Sequence, residues 1–357
     1  MHERFNAPLI GALAAIAPGR PLRTGLDRIL QANKGALVVV GDGPSVLELC
    51  SGGFLIDAEF TPQRLSELSK LDGAIILAAD ASRIARANVH LMPNPSLPTS
   101  ETGTRHRTAE RVARAVDVPV VAVSEDMGVI TLYCGEVKHP LSSISQLLGR
   151  ANQALQTLER YRDRLSSVTS ELSALEVEDL VTVRDVVSVL QRAEMVRRIA
   201  EEVQGYIVEL GADGRLVHLQ LEELMAGVED DRHQIVRDYL PDGDAQGVST
   251  FLGALSAAPD ETLLDVKAVA SLLRLLPRGL DADTGLQPRG YRLLARLPRL
   301  PESVAEKIVA RYGTLQKLLA ATVTDLDNVE GVSKATARTV KDGLARLAES
   351  SILDRYS

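Results

Sequence analysis

Two short stretches of this 357-residue chain carry residue types suited to phosphate chemistry. The first is Gly103-Thr104-Arg105-His106-Arg107-Thr108, which follows a loop rich in Pro and Ser, residues 93–102. Behind it, Ala109, Val112, Ala113 and Val116 keep helical spacing, so the stretch opens a helix. A helix N-terminus presents unpaired N–H groups and the positive end of the macrodipole, which favours an anion. Two arginines, two hydroxyls and a histidine add charge-assisted donors suited to a triphosphate. The same residues also fit a plain surface helix whose arginines make ion pairs. The second stretch is Leu71-Asp72-Gly73-Ala74, where a helical pattern gives way to a strand. A carboxylate there can hold a divalent metal or take a proton from a hydroxyl, and Gly73 lets a ligand approach the backbone. Taken alone, it equally fits an ordinary turn aspartate.

The elements that must hold these residues show in the apolar pattern. Leu37-Val38-Val39-Val40 runs into Gly41-Asp42-Gly43-Pro44, a strand ending in a turn. Ala74-Ile75-Ile76-Leu77-Ala78, Pro119-Val120-Val121-Ala122-Val123 and residues 129–133 are further strands, with helices expected over 62–71 and 105–116. This predicts an α/β domain with a mixed sheet over residues 1–146. From Ser142 to Arg278 the period becomes helical, as in Met195, Ile199, Val203, Tyr206, Ile207 and Leu210, with Gly211 as the stop. Asp213-Gly214 as a hairpin turn is the weaker reading. An all-α middle domain over 147–285 follows. The stretches Pro277-Arg278-Gly279 and Asp281 to Pro288 read as a linker, and residues 286–357 as an all-α tail.

Composition narrows the function classes. Trp is absent and aromatics make up 3% of the chain, too few for stacking platforms that bind single strands. Cys50 and Cys134 match no metal or redox spacing and read as apolar residues of a reducing compartment. The apolar run from Ala7 to Gly19 reads as an amphipathic N-terminal helix on Leu9, Ile10, Leu13 and Ile16, because Glu3 spoils a positively charged secretory leader. No stretch approaches the roughly 20 apolar residues of a membrane span, so the chain is expected to be cytoplasmic. The middle holds 14 Lys and Arg against 25 Asp and Glu, an excess read as solvated surface or an oligomer contact. The tail holds 12 against 8, and a basic tail after an acidic middle hints at a polyanion partner. There is no G-x-x-x-x-G-K-S/T loop and no G-x-G-x-x-G after a strand, so a nucleotide would be bound without either familiar phosphate loop.

Asp72-Gly73-Ala74 together with Arg105-His106-Arg107, in the setting Asn94-Pro95-Ser96 to Arg111, resembles the diadenylate cyclase domain, and the two motifs lie about as far apart as in that family. The resemblance implies a nucleotidyltransferase that condenses two ATP into cyclic di-adenosine monophosphate and two pyrophosphates. It implies Asp72 as ligand of Mg²⁺ or Mn²⁺ and activator of the ribose hydroxyl, with Gly73 against the nucleotide. Thr104, Arg105, His106, Arg107 and Thr108 would hold phosphates, Arg105, His106 and Arg107 serving catalysis. Leu91 would border the adenine, and Ser124, with Glu125 a weaker candidate, would reach the phosphates. His106 stands between three roles: phosphate donor, general acid and structural residue. Two ATP sites must face each other, so at least a dimer is required, and the family suggests an octamer.

In the tail, Asn328-Val329-Glu330-Gly331-Val332-Ser333-Lys334-Ala335-Thr336-Ala337 fits the helix–hairpin–helix pattern apolar-x-Gly-apolar-Gly-x-x-x-Ala, with Ser333 in place of the second Gly. Gly331 and Ser333 would shape a turn that offers N–H groups to a DNA phosphate, and Lys334, Arg338 and Lys341 would add sequence-independent attraction. A degenerate copy spans Leu297 to Ala305, with Arg299 and Pro301 at the glycine positions. The tail resembles the paired hairpin domains of DNA repair proteins related to bacterial RuvA. With it, the whole chain is similar to the family of bacterial DNA integrity scanning proteins. That implies recognition of branched or damaged DNA by shape, regulation of the cyclase by that DNA, and a nucleoid-associated location. The rival readings are a non-enzymatic repair scaffold and a sensor that holds ATP without converting it. Deleting 286–357 is expected to abolish DNA binding and spare catalysis.

Overall fold

The computed structural model describes residues 7–240, 245–273, 275 and 281–356. Its strands are β1 (Ala36–Val40), β2 (Cys50–Ser51), β3 (Phe54–Glu59), β4 (Ala74–Leu77), β5 (Arg83–Leu91), β6 (Val120–Val123), β7 (Ile130–Cys134) and β8 (Val137–Pro140). They form one mixed sheet in the order β2-β5-β4-β1-β6-β7-β8, with β3 also paired to β5. Strands β1 and β4 are parallel, and the other pairs are antiparallel.

The centre of the sheet is apolar at every position because both faces are covered, and the side chains divide with period two. Val38, Val40, Ile75, Leu77, Val121 and Val123 join a core with α1 (Ala7–Ala15), α2 (Pro21–Gln31) and, beyond the short α3 (Pro44–Glu48), α4 (Pro62–Leu68). Leu37, Val39, Ala74, Ile76, Val120 and Ala122 face the other way, against Ala109, Val112 and Ala113 of α5 (Thr104–Val116). The expected strands are present, within a residue or two at their ends. Strands β2, β3, β5 and β8 were not expected. Phe54 and Leu55 of β3 are exposed, and β5 carries Arg83, Arg86, Asn88 and His90 between buried residues, so neither shows a continuous apolar run. The helix expected over 62–71 stops at Leu68, and the N-terminal helix at Ala15.

The remainder is helical. It comprises α6 (Ile144–Glu178), α7 (Val183–Leu210), a 3₁₀ turn at Gly211–Gly214 where the hairpin was weighed, α8 (Arg215–Met225), α9 (Val228–Tyr239) and α10 (Ala245–Ala257). It continues with α11 (Asp260–Leu264), α12 (Val266–Leu272), α13 (Tyr291–Ala295), α14 (Glu302–Tyr312), α15 (Leu315–Ala320), α16 (Val323–Asp327) and α17 (Lys334–Tyr356). Two compact units result: Met1–Ala154 with Glu202–Gln220, and Leu155–Glu201 with Leu221–Ser357. In the first, Glu209 accepts from Ser142 N–H at 3.2 Å and lies 2.9 Å from His139 Nε2.

The reading of the acidic excess as solvated surface holds for most of the described carboxylates of the segment, which are exposed, but not for three of the second unit. Glu176, Glu194 and Asp238 are buried. Glu194 is ringed by Arg197, Arg198 and Arg232. Its own burial raises the carboxyl, but the arginines outweigh that and leave it below the usual carboxylate range. Glu176 pairs with the buried Arg292 and accepts from Tyr239 Oη at 2.8 Å. Asp238 takes the N–H groups of Gly290, Tyr291 and Arg292 at 2.7, 2.7 and 2.9 Å, capping the start of α13. Charges are buried here because each is matched by cations or N–H donors. The linker expectation divides. Pro277-Arg278-Gly279 lies outside the described residues, whereas Ala282, Thr284 and Leu286 are backbone-bonded to Arg184, Val183 and Val181.

Candidate active site

Strand register brings the candidate residues to one end of the sheet. Leu37 pairs with Ala74, Ala36 with Val123, and Ala74 with Val89. The residues just outside those positions, Gly35, Asp72-Gly73, Leu91 and Ser124, therefore share the end where β1 and β4 begin and β5 and β6 finish. Arg105 reaches this end as well: a Cβ on the buried Gly35 would stand 2.0 Å from its Nη1.

Asp72 is exposed, and among the described residues its carboxylate meets no cation. Its peptide is held instead, because Asn88 Nδ2 donates to the Asp72 carbonyl at 2.6 Å. Asn88 sits at a bulge in the β4–β5 pairing with φ +56°, a left-handed conformation that Asn tolerates better than most residues. Gly73 has φ +91°, and a Cβ there would lie 2.7 Å from the Val89 carbonyl, so no other residue fits between Asp72 and the bulge.

Helix α5 starts at Thr104 behind Gly103, whose position offers no side-chain cap. The N–H groups of its first turn thus keep their anion-binding capacity. Neither Arg105 nor Arg107 forms an ion pair among the described residues, so the surface-helix alternative, which requires such pairs, loses its support. Thr108 Oγ1 donates to the Thr104 carbonyl at 2.9 Å and must turn away to donate to a ligand. The loop before α5 is fastened to the helix. Glu110 accepts from Thr99 Oγ1 and Ser100 N–H, and Arg111 Nε and Arg114 Nη1 donate to the Leu97 and Pro98 carbonyls. Ser124 Oγ accepts from Met127 N–H at 3.2 Å, which leaves its own proton to give. Leu91 is packed into the core beneath α5 and shows only an edge to solvent. Glu125 lies 3.9 Å from Lys34 Nζ at the surface.

His106 differs from its neighbours. Its Nδ1 is 2.9 Å from Tyr133 Oη, which donates to Glu101 at 2.7 Å, and Nε2 is buried with no partner. Burial lowers its pKa, with Lys138 and Arg105 adding to that against the charge of Glu101. Among the described residues no three His, Cys, Asp or Glu side chains gather for a metal. An exposed lone carboxylate fits Mg²⁺ or Mn²⁺, which take one or two protein carboxylates and complete their shell with substrate phosphates and water. Asp72 would hold such an ion.

Gly35, Asn88, Glu101, Tyr133 and Lys138 were not singled out from the sequence. For Gly35 the signal was only a glycine ahead of a buried strand. Gly35→Ala is expected to displace the Arg105 guanidinium, a flexible group, and so to lower kcat/KM for ATP by ~10-fold or more. Its melting temperature should stay near wild type. A fall in stability with normal kinetics would show that Arg105 works elsewhere.

Comparisons with known proteins bear on this arrangement. A family described as "DisA bacterial checkpoint controller nucleotide-binding" matches residues 23–137, and "DisA bacterial checkpoint controller linker region" matches 141–278. DNA integrity scanning protein DisA of Frankia casuarinae is 56% identical over 345 residues, 96% of each chain. That of Acidothermus cellulolyticus is 56% identical over 359 residues, 99% of this chain and 96% of the relative. This chain belongs to the DisA family. DisA of Streptomyces coelicolor is 53% identical over 348 residues, 97% of this chain and 93% of the relative. Among solved structures, a double-mutant crystal structure of DacA from Staphylococcus aureus is 24% identical, covering 38% of this chain and 86% of that one with a TM-score of 0.30.

The tail of this DisA-family chain contains both hairpins. In the second, between α16 and α17, Gly331 has φ +84°. Ser333 does without a positive φ and instead caps α17, its Oγ accepting from Thr336 N–H at 3.2 Å. That explains how the departure from glycine is accommodated. Gly331, Ser333, Lys334 and Arg338 are exposed, and the two cations form no ion pair among the described residues. Lys341 is placed differently, since its Nζ donates to the Leu319 carbonyl at 2.7 Å and braces the tail internally. In the first hairpin Arg299 takes φ +62°, so the turn keeps the hand of its partner without a glycine. Glu302 and Glu306 at the start of α14 hold Arg237, which puts negative charge where a phosphate would sit.

Proposed function

We propose that the chain is a diadenylate cyclase that condenses two ATP into cyclic di-adenosine monophosphate and two pyrophosphates, under the control of branched or damaged DNA bound by its tail. The observation that carries the catalytic part is the meeting at one sheet end of an unpaired carboxylate, Asp72, with the uncapped start of α5 and the unpaired Arg105. In-line attack on an α-phosphate needs charge stabilisation more than covalent chemistry. In this reading Asp72 holds Mg²⁺ or Mn²⁺, which would supply Lewis-acid stabilisation at the phosphates. Gly73 lies against the nucleotide, Leu91 borders the adenine, and Thr104, Arg105, His106, Arg107, Thr108 and Ser124 bind the phosphates. Residues 1–146 form the catalytic domain, 147–285 the linking and oligomerising domain, and 286–357 the DNA-binding domain. Two catalytic domains face each other, within an octamer, in a cytoplasmic and nucleoid-associated protein. Incubation with ATP and either metal, followed by anion-exchange chromatography, tests the reaction. One cyclic dinucleotide per two pyrophosphates is expected, and unchanged ATP would leave the scaffold or the sensor.

For the DNA part, Gly331, Ser333, Lys334 and Arg338 at the start of α17 form the phosphate contact, supported from within by Lys341. The structure changes the choice of variant. Deleting 286–357 would remove Arg292 and the N–H groups that Asp238 caps, stranding buried carboxylates. Charge reversal at two exposed positions avoids this. Lys334→Glu with Arg338→Glu is expected to weaken binding of a four-way junction by ~10²-fold or more in moderate salt while leaving basal cyclase activity intact. Saturating junction should inhibit wild type and not the variant. Equal junction binding by the two proteins would place the DNA site elsewhere.

A further inference from the structure

The proton arrangement around His106 assigns roles to three residues outside the two motifs. Tyr133 Oη has one proton. Glu101 Oε1, 2.7 Å away, has only lone pairs to offer and takes it. Lys138 Nζ, 2.5 Å from the same oxygen, keeps Glu101 ionised: together with the Tyr133 bond it holds the carboxyl below the ordinary range although burial works the other way. Burial and the Glu101 bond push the Tyr133 hydroxyl well above its usual pKa, so it stays protonated. Tyr133 can therefore only accept from His106, and Nδ1 must carry the hydrogen of that 2.9 Å contact.

The consequence falls on the other ring nitrogen. In the neutral ring Nε2 is a bare lone pair, buried and without a partner. A lone pair repels a phosphate oxygen; an N–H attracts it. His106 becomes useful to a triphosphate only after a proton is added at Nε2. We propose that Tyr133 and Glu101, backed by Lys138, are positioning residues that lock the Nδ1–H tautomer of His106, so that Nε2 takes up a proton when a triphosphate binds and donates it as a charged hydrogen bond. This rests on the phosphate site proposed above.

The opposing groups are few. Arg105 on α5 and Lys138 on β8 disfavour the imidazolium, Glu101 favours it, and Glu110 acts on Tyr133. Without added charge burial prevails and the ring is neutral near pH 7. A bound triphosphate adds several negative charges and reverses the balance. The histidine thus serves as a donor that the substrate itself switches on, with Tyr133, 1% exposed, fixing its orientation.

The test uses the full chain and 3′-deoxy-ATP, which lacks the attacking hydroxyl. Calorimetry at pH 7.5 in buffers of different ionisation enthalpy reads the protons taken up per ligand. Wild type is expected to take up a fraction of a proton that is absent in His106→Gln and reduced in Glu101→Gln. In turnover, the alkaline limb of kcat should move down by ~0.5–1 pH unit in Glu101→Gln. Tyr133→Phe should lower kcat ~10-fold with KM for ATP little changed. Circular dichroism establishes that each variant is folded. Equal proton uptake in wild type and His106→Gln, or in wild type and Glu101→Gln, overturns the proposal. The calorimetric arm stands even if no cyclic product forms, so failure of the relay and failure of the cyclase reading remain distinguishable.

Discussion

Asp72→Asn is expected to reduce formation of the cyclic dinucleotide by on the order of 10²–10³-fold or more, with no change in melting temperature. The separation of the two effects follows from the site. The side chain is exposed and pairs with no cation among the described residues, so its charge contributes nothing that the fold depends on. What fixes the loop is the backbone: Asn88 on the Asp72 carbonyl, and Gly73 pressed against the bulge in β5. Asparagine keeps the size of the side chain and leaves those contacts in place. It removes the negative charge for a divalent ion, and no other acidic or histidine cluster among the described residues can take over. ATP binding should persist at reduced affinity through the cations of α5. The check is anion-exchange analysis of product against time, beside thermal denaturation. A variant with more than about a tenth of wild-type turnover would show that the metal, or the hydroxyl activation, depends on other groups.

Arg292→Met should be the most destabilising single substitution considered, by about 3–5 kcal/mol. Arg292 is 1% exposed, and its guanidinium binds both oxygens of Glu176 and reaches the Thr169 carbonyl. Methionine fills much of the volume but strands Glu176, with Asp238 already buried beside it. Burial, with Glu176 adding, pushes Asp238 up to about 7 against its three N–H donors and Arg292. Removal of Arg292 takes away one of the influences that lower it, so the variant's Asp238 titrates higher still. A carboxyl whose folded pKa is raised stabilises most below its unfolded pKa and loses that contribution as pH rises through the folded value. The deficit of Arg292→Met should therefore be larger at pH 8 than at pH 6. In the double variant Glu176→Leu with Arg292→Met most of the loss should return, less the ~1–2 kcal/mol for the orphaned Tyr239 hydroxyl. Thermal or urea melts at the two pH values decide it. No rescue would mean that packing rather than charge makes this site costly.

Junction binding complements these two because it probes a surface where the fold is expected to be indifferent, whereas the His106 tests reach the buried Tyr133 and so carry their own check that each variant is folded. Together the variants separate charge that serves a ligand from charge that holds the chain together. Arg105, Arg107, Lys334 and Arg338, which form no ion pair among the described residues, are proposed to be of the first kind, whereas Arg197, Arg198, Arg232 and Arg292 are of the second. Composition shows them as one population, and only their partners tell them apart.

What the sequence determined by itself lies where the pattern is local. The buried strands β1, β4, β6 and β7 are short runs of apolar residues, and the start of α5 is marked by Gly103 and the helical spacing after it. Asp72-Gly73-Ala74 and Arg105-His106-Arg107 were found as motifs, and Gly331 marked the hairpin of the tail. The tertiary structure decided what depends on partners distant in sequence. Strand β5 escaped notice because Arg83, Arg86, Asn88 and His90 interrupt its apolar residues and its bulge at Asn88 breaks the alternation, yet that bulge holds the Asp72 peptide. Gly35 became meaningful only when Arg105, 70 residues on, was seen against it. Tyr133, Glu101 and Lys138 act on His106 through hydrogen bonds across β7, a loop and β8. The buried carboxylates of the acidic segment could not be told from surface ones. Whether a Glu is solvated or enclosed depends on whether the fold brings an arginine to it, and neither periodicity nor net charge encodes that meeting.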